Sequence, residues 1–275
     1  MNGTPGADPL TAPLSYPGEP PRPPAVLVTG AEIFAIEPRP AAALGEWPVR
    51  RARYPAAAEA GTPLDRFLRA QAAAPAGQRT PVLSVGSNAS PAQLRRKMAN
   101  AAVPMIVPMT AVRVHGLAAG VSAHVSAPGY VPATPVEDPA AVAGMWVLWL
   151  DAAGLAALDA TEPNYRRVRV PPRHPIFLPP GAALHGCSVY VSRHGHLVDA
   201  RGEPRRLTDQ AALISALLAE VPALSALAGR SPAEWIRRTR DERVRDGVRE
   251  LFRTAGTVRA SAFGACPEPG RVGAE

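Results

Sequence analysis

The chain has 275 residues, 47% of them hydrophobic and 19% charged, which is enough apolar content to build a folded core. Its formal charge is +7, yet Lys97 is its only lysine. Arginine in excess beside abundant alanine and proline is a bias of composition, so the charge alone is no argument for a nucleic-acid partner. Cys187 and Cys266, the only cysteines, lie far apart and outside any C-x-x-C spacing, the pattern of neither a disulfide framework nor a cysteine-based metal site. The longest apolar stretches, such as 141–150, are too short to span a membrane. The N-terminus has neither a basic opening nor an apolar signal segment, so a cytoplasmic protein with no membrane partner is expected.

Residues 1–24 carry proline at positions 5, 9, 13, 17, 20, 21, 23 and 24 and few large apolar side chains, the composition of a disordered or loosely docked tail. Residues 25–79 read as an accessory region, with a short strand at 25–29 and a helix at 63–73 that has Thr62 as N-cap and Asp65 in its first turn. Residues 80–200 carry the clearest pattern. A buried strand at 81–85 runs into a tight turn at Gly86-Ser87-Asn88-Ala89, and Ser90-Pro91-Ala92-Gln93 has the form of a capping box with proline at the first helical position. Strands are expected at 104–114, 117–126 and 141–150. Asp151 then caps a short helix with Leu155 and Leu158 inward, which stops ahead of Pro163. Strands at 165–170 and 183–191 lead to a turn at His194-Gly195-His196. Residues 201–265 read as a helical extension, with helices near 209–227 and 232–252 and a second capping box at Ser231–Glu234, before a tail at 266–275. No repeat of 20 to 50 residues is visible, which argues against a solenoid or propeller.

Two segments carry chemistry. The backbone N–H groups of Gly86, Ser87 and Asn88 lie between a strand end and a helix N-terminus, where amide donors and the helix dipole suit a carboxylate. Glu162 follows a helix C-terminus, where the dipole disfavours a charged carboxylate, and Tyr165 brings a phenol three residues later; both suit general acid/base work. Either segment alone has an ordinary explanation, as a strand-to-helix turn or as a glutamate closing a helix.

Taken together, VLSVGSNASPAQL and LDATEPNYRRVRV resemble the first strand with its Y-G-S-N loop and the L-D-x-x-E-G segment of the gamma-glutamylcyclotransferase-like family, in that order and at about that spacing. Gly144–Trp149 and Val189-Tyr190-Val191 resemble two further strands, so the resemblance covers about residues 80–195. It implies an α+β fold, a small β-barrel flanked by helices. It also implies a pocket in which Val85, Gly86, Ser87, Asn88, Tyr165 and Tyr190 bind substrate and Glu162 is the acid/base, with no metal and no cofactor. The implied partner is a small gamma-glutamyl compound whose α-amino group closes a 5-oxoproline ring and expels an amine. Val85 stands where the family has tyrosine, Pro163 where it has glycine, and the link from Glu162 to Tyr165 is short. A non-catalytic module that binds a small ligand or regulates is therefore the alternative.

Other candidates are weaker. His194 and His196 flank a glycine in a polar turn without a third ligand, the pattern of a hairpin tip. His115 and His124 lack a Gly-x-Ser-x-Gly elbow, and no phosphate-loop pattern occurs. The seven arginines between Arg237 and Arg253 interleave with Asp241, Glu242, Asp246 and Glu250, as a solvated helix face does, while Val244, Val248, Leu251 and Phe252 form an apolar face.

Overall fold

A computed structural model describes residues 8–22, 24–51 and 61–263. Strands β1 (Ala25–Thr29), β2 (Ile33–Ile36), β3 (Pro48–Arg51) and β4 (Thr62–Pro63) lead to helix α1 (Leu64–Ala70). Next come β5 (Thr80–Ser84), α2 (Pro91–Asn100), and the long strands β6 (Ile106–Val121) and β7 (Ala133–Leu150). After α3 (Ala152–Ala160) the chain forms β8 (Tyr165–Arg169), β9 (Ile176–Phe177), β10 (Ala183–Leu184), β11 (Ser188–Ser192) and β12 (His196–Leu197). It ends with α4 (Gln210–Glu220), α5 (Pro222–Ala228), α6 (Pro232–Arg238), α7 (Glu242–Thr254) and β13 (Val258–Arg259).

One mixed sheet organises the molecule, in the order β4-β3-β2-β1-β6-β7-β5-β11-β8, with β9 also on β6 and β10 on β9. All of its pairs are antiparallel except β5 with β11. The α+β class stands, but the sheet is not a closed barrel: β4 and β8, at the ends of the path, do not pair with each other. Both ends resist further pairing. β4 is two residues long and contains Pro63, and β8 carries Arg166, Arg167 and Arg169.

Side-chain alternation explains why the central strands read as continuous apolar runs. Val82, Leu148 and Tyr190 pack on one face with Leu94, Met98 and Leu158 of α2 and α3. Leu83, Val147, Val189 and Val191 point to the other face, among Val112, Met145, Trp149 and Phe263. A sheet buried on both faces loses the apolar/polar alternation of a half-exposed one.

Several boundaries differ from expectation. The strands read at 104–114 and 117–126 are one strand, β6, interrupted only by a register shift at Gly116, whose φ is +73°. The run at 183–191 is split by Gly186, also at positive φ. Helix 209–227 breaks before Pro222, and 232–252 breaks before Asp241, which caps α7. Thr62 is not a helix cap; it pairs with Val49 in β4, and Pro63 takes the cap position.

Within 25–79, β1 to β4 extend the same sheet through β1 and β6, with Leu27 opposite Pro108. Within 8–22, Pro9, Pro13 and Tyr16 are buried, Tyr16 to 5% exposure, while Leu10 and Leu14 are exposed. Cys266 and the tail at 266–275 lie outside the described residues. The C-terminal helices pack as one cluster, in which Trp235, Val248 and Phe252 are fully buried against Val121, Val131 and Leu217. Among the described residues no single helix is long and apolar enough to cross a membrane; α4 and α5 pass that test only as a pair bent by 116°.

Candidate functional site

β5 is held on both sides, antiparallel to β7 and parallel to β11, so the point where it ends is fixed by the sheet. From there the chain passes Val85 and Gly86, makes a 3-10 turn at Ser87–Ala89 and enters α2 at Pro91. Gly86 is required by space: a Cβ there would lie 2.4 Å from the Tyr16 hydroxyl and 3.1 Å from the Ala133 Cβ. Ser90 is the N-cap of α2, but the expected capping box does not form. Gln93 instead donates through Nε2 to Asp8 Oδ1 at 2.5 Å.

Glu162 reaches the same place from the other side. Asp151 caps α3 by accepting from the Gly154 N–H at 2.8 Å, and the helix ends at Ala160. A turn in which the Tyr165 N–H donates to the Glu162 carbonyl at 2.9 Å then sets the glutamate. Its side chain, 14% exposed, accepts at Oε1 from Lys97 Nζ at 2.7 Å and from Asn88 Nδ2 at 2.9 Å. Lys97 also donates to Asn88 Oδ1 at 2.7 Å. The three side chains close a triangle that fixes the amide, since a flipped Asn88 would turn its carbonyl to the carboxylate and its NH₂ to the ammonium. The carboxylate at the helix end therefore has a cation directly on it, which the sequence reading did not place.

The cavity around this triangle has a volume of about 280 Å³, and Val85, Gly86, Ser87, Asn88, Glu162, Tyr165 and Tyr190 all line it. The structure thus brings the seven residues together, with different orientations. The Tyr165 hydroxyl donates to the Ala133 carbonyl at 2.9 Å. The Tyr190 hydroxyl donates to Asp159 Oδ1 at 2.6 Å, and Arg167 bonds both oxygens of that carboxylate. Burial acts to raise the Asp159 carboxyl, but Arg167 and Tyr190 outweigh it and hold the group below the ordinary aspartate value.

Residues not read from the sequence complete the walls. Tyr16 stacks on Tyr130 with ring centroids 4.3 Å apart, and its hydroxyl accepts from the Ala133 N–H at 2.8 Å. Tyr16 thus reaches the cavity from far along the chain. Loss of water raises both hydroxyls above the ordinary phenol value, Tyr130 to about 12, with the charge of Glu162 adding to the effect. His124, 4% exposed, also lines the cavity, and its Nδ1 lies 2.6 Å from Ser122 Oγ. Burial first, then His194 and Arg249, push this imidazole down to about 3, so it is neutral at ordinary pH. His194 itself meets Asn164 Oδ1 through Nε2 at 2.9 Å, and His196 belongs to β12. Sequence signals did exist: Lys97 is the one lysine of the chain, and Tyr16 is the one aromatic residue among the first 24.

Fold and site together define an α+β protein with a carboxylate–amide–ammonium cluster in a tyrosine-walled cavity. No family model and no curated protein matches the chain. Among solved structures it is similar to one described as "Gamma-glutamyl cyclotransferase", at 12% identity and a TM-score of 0.35, over 69% of this chain and 94% of that one.

Proposed function

We propose that the protein is a cyclotransferase acting on gamma-glutamyl amines or peptides, with Glu162 as its general acid/base. The observation that carries this reading is the convergence of Glu162, Asn88 and Lys97 on one small cavity beside the Gly86–Asn88 loop. In the reaction the substrate α-ammonium gives a proton to Glu162, and the freed amine attacks the side-chain carbonyl of the same molecule. The new C–N bond closes the five-membered ring, Glu162 returns the first proton to the departing nitrogen as the original amide C–N bond breaks, and the ring nitrogen gives up a second proton that Glu162 relays to the released amine. Because the nucleophile is carried by the substrate, the protein need only hold a folded conformer, relay protons from the attacking to the departing nitrogen and stabilise the oxyanion. Lys97 and Asn88 hold one oxygen of the carboxylate, which fixes its orientation.

The same ion pair supports a second reading. One oxygen of the carboxylate is already engaged by an ammonium and an amide, and a pocket built this way suits a module that binds a small ligand without turning it over. Incubation of the protein with a panel of gamma-glutamyl amino acids, peptides and amines separates the two. Release of 5-oxoproline with an equal amount of free amine is expected; ligand binding without product from any member would replace the enzyme with the binding module.

A further inference from the structure

A second polar cluster lies at the rim of the cavity. Gln93, in the first turn of α2, is only 2% exposed and makes no cap. Its Oε1 accepts from Arg96, which fixes the amide so that Nε2 points at Asp8 Oδ1, 2.5 Å away. That oxygen also accepts from the Leu10 N–H at 3.0 Å, and Asp8 Oδ2 lies 3.5 Å from Arg96 Nε. The last contact is too long for a hydrogen bond, and Arg96 Nε is buried without one among the described residues. Two donors therefore converge on a carboxylate that satisfies one of them fully and the other poorly.

We propose that Gln93 and Arg96 form a carboxylate-binding subsite, which Asp8 occupies until the carboxylate of a ligand replaces it. A buried guanidinium N–H without an acceptor is unfavourable, and a carboxylate free to settle between Gln93 and Arg96 can satisfy both with charge-assisted bonds. The N-terminal end of α2 adds a favourable dipole. Asp8, tethered by its own chain, cannot approach as freely. Arg96 precedes Lys97, which holds Glu162, and Gln93, Arg96, Lys97 and Glu162 line the same cavity. A ligand spanning it would place its polar reacting end at Glu162 and a carboxylate at Gln93 and Arg96. Asp8 and Leu10 would then be displaced, while Tyr16, stacked on Tyr130, stays as the anchor of the segment.

The inference rests on the cyclotransferase reading only for the shape of the probes, which should lack the α-amino group and so cannot react. Glutaryl-glycine and glutaryl-glycinamide differ only in the terminal carboxylate. Calorimetric titration into the full-length protein should show that wild type prefers the acid, and that Asp8→Ala binds the acid about tenfold more tightly with the amide unchanged. Arg96→Gln should bind the two probes equally. Amide hydrogen exchange of residues 8–14 should be faster in Asp8→Ala while α2 is unaffected. Equal gains for both probes, no gain for the acid, no binding of either probe, or unchanged exchange would each overturn the subsite. These probes do not react, so a failure to release 5-oxoproline from the substrate panel would leave their results standing.

Discussion

Asn88 performs a task that a carboxyl of the same shape cannot. Its NH₂ donates to Glu162 and its carbonyl accepts from Lys97, so Asn88→Asp would set two carboxylates about 2.9 Å apart on one ammonium. Like charges that close cannot both ionise without cost. Asn88→Asp is expected to lower kcat/KM for 5-oxoproline release by about 100-fold or more, and an unchanged value would show that the triangle is not used. Gly86→Ala tests the other wall. Its Cβ would collide with the Tyr16 hydroxyl, which stacking on Tyr130 and the Ala133 N–H hold in place. Overpacking of this kind costs about 1–3 kcal/mol, read as a lower midpoint in urea; in a double-mutant cycle, Gly86→Ala should cost less in a Tyr16→Ala background than in wild type. Glu162 and the Gly86–Asn88 loop were legible in the sequence because their signals are local, a strand-to-helix turn and a helix end. Tyr16 was not, because its partner Ala133 lies 117 residues away and nothing in a proline-rich stretch announces such a contact.

At the level of elements, local chemistry marked the starts of helices better than the course of strands. Asp151 and Ser231 are caps as read, the latter accepting from the Glu234 N–H at 3.3 Å. The box at Ser90 failed because a competing partner, Asp8, takes Gln93, and no local rule foresees a contact across 85 residues. What holds β5 in position was equally hidden. Arg79, 5% exposed, donates to the carbonyls of Ala74, Ile106 and Trp149 and lies 3.5 Å from Asp151, joining the start of β5 to β6, β7 and the cap of α3. Arg79→Ala would leave three carbonyls and a carboxylate short of a partner. Chemical denaturation should show a loss of about 3 kcal/mol or more, and a change below about 1 kcal/mol would mean that other groups or water take over.

The whole molecule is an open sheet that the family resemblance, confined to about residues 80–195, did not foresee: β1 to β4 lie outside that span and extend the sheet away from closure. Its acid stability should carry the mark of His124. The folded imidazole stays neutral to about 3, whereas in the unfolded chain it titrates near 6.5. As pH falls from 6.5 toward 3 the unfolded state gains a proton that the folded state refuses. The stability present above pH 6.5 is thus progressively lost, by on the order of 5 kcal/mol in all. His124→Asn should flatten urea-measured stability against pH in that window, and an unchanged slope would contradict the assignment. The central claim is that the cavity turns over a gamma-glutamyl compound through Glu162. Its most direct test is the rate of 5-oxoproline release by wild type and by Glu162→Gln on the best substrate of the panel, with unfolding curves showing both proteins folded. A loss of at least 1,000-fold in kcat is predicted for a missing acid/base; a variant that keeps wild-type turnover would contradict the account.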